Sequence, residues 1–155
     1  MKTLIVYQSQ KGTTKKFAEE IAKRVQKVKG DVTVKSITET TADDIRQCDL
    51  LFLGGRTVGK FVFGQKPDSD WVTFARNLPG ANGKKTILFT TYSIAAGNVF
   101  QHMKQPVTNK GYQVVGSMKS TNGKLDYYSA SVLKYALDYR HSTVERAINQ
   151  LAEVS

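Results

Sequence analysis

Apolar residues along this chain fall into two alternating patterns: short continuous runs, and stretches that recur every three to four positions. Leu4-Ile5-Val6-Tyr7 is a run of the first kind and predicts a strand. From Thr13 the period changes. Phe17, Ala18, Ile21, Ala22, Val25 and Val28 share one helical face, and Gly30 closes the helix. Val32, Val34 and Ile37 predict a second strand, the first two in strict alternation. Leu50-Leu51-Phe52-Leu53 is apolar throughout and ends at Gly54-Gly55, the pattern of a strand buried on both faces. Trp71, Phe74, Ala75 and Leu78 predict a helix stopped by Pro79-Gly80, followed by a buried strand at Thr86-Ile87-Leu88-Phe89. Val99, Met103 and Val107 predict a helix broken or kinked at Pro106, and Tyr112 to Gly116 a fifth strand. Val144, Ala147, Ile148 and Leu151 predict a closing helix, and residues 120–140 an excursion with one short helix.

Strands alternating with helices imply right-handed crossovers and a parallel sheet covered on both faces. The expected fold is therefore a three-layer, doubly wound α/β domain with a five-stranded parallel sheet, one domain across residues 1–155. A length of 155 residues leaves no room for two well-cored domains.

Charge adds a partner class to this picture. The chain has 23 Lys and Arg against 13 Asp and Glu, a net charge of +10, which favours an anionic partner. The excess lies in both halves of the chain, so it belongs to the body of the domain and not to a tail. Cys48 is the only cysteine and His102 and His141 have no ligand partners in sequence, so a disulfide framework and a metal site are not expected. The run after Met1-Lys2 is too short for a signal peptide, and no stretch approaches the roughly 20 apolar residues of a membrane span. The expected location is the cytoplasm.

In an open parallel sheet, ligands bind beyond the carboxyl ends of the strands. The loops beginning at Gln8, Gly54 and Thr90 are thus the candidates. Ser9-Gln10-Lys11-Gly12-Thr13-Thr14 offers three hydroxyls, a glycine for a tight turn and the free N–H groups of a helix start, which together make an anion cradle. Lys11, Lys15 and Lys16 oppose the helix dipole at a cost of about a few tenths of a kcal/mol each, and a bound phosphate would offset that. A plain Ser or Thr N-cap fits the same residues. The spacing matches neither a P-loop nor the Gly-x-Gly-x-x-Gly dinucleotide turn.

Leu4-Ile5-Val6-Tyr7-x-Ser9-x-x-Gly12-x-Thr14, with Ala18 and Ile21-Ala22 in the following helix, resembles the opening of the flavodoxin family. The likeness continues through Asp49 to Gly55, Phe89-Thr90-Thr91-Tyr92, Gly97-Asn98, Gly111 to Gly116, and His141 to Ala147. It implies strand order 2-1-3-4-5, FMN as cofactor, and a phosphate site at Ser9, Gln10, Lys11, Gly12, Thr13 and Thr14. The flavin ring would then lie between Arg56, Thr57, Val58 and Gly59 on one side and Thr90, Thr91, Tyr92, Gly97 and Asn98 on the other. Arg56 stands where the family often has proline and Val58 where it has an aromatic, so Phe61 or Phe63 becomes a candidate cover for the ring. Tyr92 is a candidate for stacking. Arg56 and Lys60 would place positive charge where acidic relatives carry carboxylates, which would raise the flavin potential.

The function this implies is electron transfer by bound FMN, with redox partner proteins that present acidic docking surfaces. Two alternatives remain open: an FMN-dependent oxidoreductase acting on a quinone or porphyrinogen, and a flavodoxin-like module that has lost FMN. The lysines of the first helix (Lys15, Lys23, Lys27) read as a solvated face, which argues against nucleic acid. Cys48 and Trp71 read as packing. Tyr127, Tyr128, Tyr135 and Tyr139 read as cover for a sheet edge or a partner.

Overall fold

The computed structural model describes the backbone of residues 1–154, and side chains other than those of residues 29, 138–149 and 153–155. In chain order the elements are β1 (Lys2–Tyr7), α1 (Thr13–Lys29), β2 (Asp31–Ser36), α2 (Ala42–Gln47), β3 (Leu50–Lys60), β4 (Phe63–Pro67), α3 (Ser69–Arg76), β5 (Lys85–Thr91), α4 (Val99–Asn109), β6 (Gln113–Ser120) and α5 (Tyr127–Val154). Five parallel strands run in the order β2-β1-β3-β5-β6, the order implied by the resemblance once β4 is set aside.

The apolar runs form strands because alternate residues feed opposite layers. Leu4, Val6, Leu51, Leu53 and Leu88 face α3 and α4, where Trp71, Ala75, Met103 and Val107 meet them. Ile5, Leu50, Phe52, Ile87 and Phe89 face Phe17, Ala18, Ile21 and Val25 of α1 and Leu133, Ala136 and Leu137 of α5. As expected, Trp71 is fully buried and Cys48 is packed, its Sγ donating to the Ile45 carbonyl.

Four expectations are corrected. The sheet has six strands, because β3 does not stop at Gly55 but runs to Lys60 and folds back as β4, antiparallel to it. Gly55, Gly59 and Gly64 interrupt the apolar pattern there and hide the hairpin. Helix α2 carries too few apolar residues to show a period; a capping box starts it, in which Asp44 N–H donates to Thr41 Oγ1 and Thr41 N–H to Asp44 Oδ2. Helix α4 is not broken at Pro106 but runs through it to Asn109.

Residues 127–154 form one helix, not an excursion and a separate closing helix. Tyr127, Tyr128 and Tyr135 lie exposed while Leu133, Ala136 and Leu137 are buried, so apolar residues on both faces blur the period. Leu151, expected in the core, is exposed. The side chains of Tyr139, His141, Val144, Ala147 and Ile148 lie outside the described residues.

Two residues set measurable limits on stability. A Cβ at Gly54 would fall 2.0 Å from the ring of Phe89. Gly54→Ala is expected to destabilise by about 2 kcal/mol or more, read as a lower urea midpoint, because neither the strand nor the buried ring has space to yield. Tyr112 is buried, its hydroxyl donates to the Pro79 carbonyl, and burial pushes its pKa up to about 12. The raised value favours the neutral form in the fold, so this contribution is complete below pH 10 and is lost as pH rises toward 12. Tyr112→Phe should remove that part of the alkaline unfolding profile.

Candidate functional site

The carboxyl ends of β1, β3 and β5 and the loop after β6 enclose a cleft of about 120 Å³, room for a phosphate-sized group. Its floor is the start of α1. Gly12 takes the N-cap position with φ +94°, left-handed backbone that glycine alone adopts without strain, and the space around it is open. No side chain caps the helix and its first turn has no acid. Ser9 Oγ accepts from Gly12 N–H at 3.0 Å, one residue ahead of the helix, so the plain Ser or Thr N-cap is excluded. The first intrahelical bond runs from Lys16 N–H to the Gly12 carbonyl, so the N–H groups of Thr13, Thr14 and Lys15 precede it. Ser9, Gln10, Lys11, Thr13 and Thr14 line the cleft.

Thr14 and Thr91 are both buried, and their hydroxyls meet at 2.6 Å, tying the first turn of α1 to the end of β5. Thr91, Tyr92 and Ser93 line the cleft beside it. Thr90, predicted as a ligand residue, points the other way. It is fully buried, donates to the Gly55 carbonyl at 2.7 Å, and sits 2.8 Å from the hydroxyl of Thr57. The alternation along β5 decides this, since neighbouring strand residues face opposite layers.

Arg56 and Thr57 line the cleft, but Arg56 is not a loose positive charge. Its Nε donates to Asp68 Oδ2 at 2.7 Å, and the other oxygen of Asp68 accepts from Asp70 N–H to cap α3. The expected electrostatic lift from Arg56 is therefore largely cancelled by a carboxylate twelve residues on. Val58, Gly59, Gly97 and Asn98 are not brought into the cleft. Val58 pairs with Lys66 in the hairpin, and Asn98 occupies the N-cap position of α4. Gly59 and Gly97 instead admit the buried side chain of Gln65: a Cβ at either would lie 3.0–3.1 Å from the Gln65 residue or its strand neighbour. Gln65 Nε2 also donates to the Phe61 carbonyl, so this glutamine holds the hairpin against the 94–98 loop.

Sequence reasoning missed three contributors. Gln8 is buried and its Oε1 accepts from Arg56 N–H. Lys119 places its Nζ 5.8 Å from the centre of the Tyr92 ring, a cation–π distance. Thr121 lines the cleft from the loop after β6, which Ser120 ties together through Gly123 N–H and the Lys124 carbonyl. The cluster Lys119-Ser120-Thr121-Asn122-Gly123-Lys124 was the available signal, a turn at the carboxyl end of a strand. Among the described residues no group of His, Cys, Asp and Glu could hold a metal, and no helix is long and apolar enough to cross a membrane.

The family profile described as "Flavodoxin" matches residues 5–134. The chain belongs to the flavodoxin family. It is 32% identical over 114 residues to the flavodoxin of Megasphaera elsdenii, covering 73% of this chain and 81% of that one. It is 30% identical over 112 residues to the flavodoxin of Clostridium beijerinckii, covering 72% and 79%. The solution structure of two-electron reduced Megasphaera elsdenii flavodoxin superposes with a TM-score of 0.70 at 27% identity, covering 86% of this chain and 96% of that chain. Flavodoxins are FMN-binding electron-transfer proteins, so FMN is the cofactor here and electron transfer the function.

The Arg56–Asp68 bond is open to a direct test. Asp68→Ala removes the cap of α3 and leaves the guanidinium, one-third exposed, without its carboxylate. A loss of about 2 kcal/mol in urea unfolding is expected, below the range for a fully buried pair because water reaches Arg56.

Proposed function

We propose that this flavodoxin, a single domain over residues 1–155, holds the FMN phosphate at the start of α1. Its flavin ring would lie outward of the cleft, beside Tyr92 and the first part of the hairpin. The observation that carries this reading is the open N-terminus of α1: Gly12 in left-handed backbone, no capping side chain, no acid in the first turn. These donors fit a phosphate, and the cleft above them has that size. Ser9 orients the turn through Gly12 N–H, and Thr13 and Thr14 add hydroxyls, that of Thr14 oriented by Thr91. Lys11 supplies a point charge in place of a shaped hydrogen bond. Bound FMN supplies the redox chemistry; the protein orients it, and Lys119, held over Tyr92, sets positive charge at the ring's side of the cleft.

The protein acts as a carrier in the cytoplasm between redox proteins. Its +10 charge points to partners with acidic docking surfaces, and association should slow as salt is raised. A quinone or porphyrinogen oxidoreductase has less support, because the family profile and the curated relatives that match are described as flavodoxins.

Adding FMN to the purified protein should give a 1:1 complex absorbing near about 450 nm, the band of oxidised flavin. Gly12→Asp, which places a carboxylate at the positive end of the helix dipole on left-handed backbone, should weaken binding about tenfold or more. Thr14→Ala should weaken it less, and unchanged affinity in both variants would rule out this phosphate site.

A further inference from the structure

The tip of the β3–β4 hairpin is the least expected surface of the molecule. Phe61, Val62 and Phe63 are 77%, 57% and 76% exposed, three consecutive apolar residues in water. Phe61 is also the only described non-glycine residue with positive φ, at 51°, a conformation that phenylalanine rarely takes. Ile94, 65% exposed, lies in the adjoining loop, which Gln65 joins to the hairpin through Gly97. Exposed apolar clusters of this kind mark sites of association.

Two features select the partner. On a hairpin lying against a flat surface, one face would be apolar and the other polar. Here the three consecutive residues at the tip are all apolar and all exposed, with no polar residue among them, as suits a tip surrounded by an apolar medium. The collar is basic: Lys60 and Lys66 are exposed in the same hairpin, and residues 50–67 contain no Asp or Glu. The neighbouring segments 8–16, 90–98 and 119–125 likewise contain none, while Lys11, Lys119 and Lys124 are exposed on them. Of the acids at this end, Glu39, Asp43 and Asp44 follow β2 at the far edge of the sheet, with Asp43 and Asp44 paired to Arg46 and Lys35. Asp68 is buried against Arg56 and caps α3, and Asp126 caps the start of α5 by accepting from Ser129 N–H.

We propose that the hairpin tip inserts Phe61, Val62 and Phe63 into the interface of an anionic lipid bilayer, with Lys60 and Lys66 on the headgroups. Apolar insertion and basic attraction are each weak alone and together give reversible surface binding. The cofactor cleft, which shares β3 with the hairpin, then faces partners at the membrane. This goes beyond electron transfer and does not require the phosphate site to be placed as above.

The test uses the full chain loaded with FMN and sedimented with vesicles of phosphatidylcholine, alone or mixed with phosphatidylglycerol. Binding is expected to the mixed vesicles only. The double variant Phe61→Ser, Phe63→Ser should lower that affinity about tenfold, with circular dichroism unchanged. Phe63→Trp should show added fluorescence that brominated acyl chains quench, a readout independent of whether the serine variant folds. Three results would overturn the proposal: no binding of the wild-type protein to mixed vesicles, which would reassign the tip to a protein pocket; serine-variant binding equal to wild type; or FMN loss in the serine variant with vesicle binding intact, which would make the tip a cover for the cofactor.

Discussion

The ring of Phe89 is the contact on which the arrangement of the site depends. It lies over Gly54 of β3, where no side chain fits, and meets Phe17 of α1 edge-on at 5.8 Å and 85°. The glycine lets the ring settle onto the sheet, and the ring in turn fixes how closely α1 approaches. Thr14, three residues before Phe17, is thereby brought to the end of β5, where its hydroxyl reaches Thr91. A core contact thus sets the position of a helix end that has no cap of its own. Packing between apolar residues determines where a polar cradle stands.

The electrostatics of the molecule follow the same division between scaffold and site. Of the cations near the cleft, Arg56 belongs to the scaffold, since Asp68 holds it while also capping α3. Lys11 and Lys119 are the ones left to act on a bound anion, one at the turn before α1 and the other above Tyr92. A net charge of +10 therefore acts at two ranges. Close in, Lys11 lines the cleft and Lys119 stands over Tyr92. Further out, the lysines of the hairpin and of the loops beside the cleft favour anionic surfaces.

Much of the fold was legible because strands buried on both faces and amphipathic helices have distinct periods. Leu50 to Leu53 and Thr86 to Phe89 could hardly be anything but central strands. The turn before α1 was legible too, since Gly12 between Ser9 and Thr14 ahead of an amphipathic helix needs only local chemistry. What escaped depends on distant residues. The partner of Arg56 is Asp68 on the return arm of a hairpin that glycines conceal. The outward or inward direction of Thr90 depends on the register of β5 within the sheet. Gly97 reads in sequence as a place for close backbone approach, and the side chain of Gln65, on the concealed hairpin, is what lies against it. Lys119 and Thr121 belong to a strand end that only the folded topology places beside the first loop.

The central claim is that the open start of α1, positioned through Phe17, Phe89 and the Thr14–Thr91 bond, is where the cofactor's phosphate is held. An NMR titration of isotope-labelled protein with FMN tests it most directly, because backbone N–H signals report each donor separately. The expected result is saturation at one equivalent, with the largest downfield amide shifts at Thr13, Thr14 and Lys15, whose N–H groups precede the first intrahelical bond. Shifts concentrated elsewhere, for instance around Cys48 and Lys84 at the opposite end of the sheet, with Thr13 to Lys15 unmoved, would contradict it.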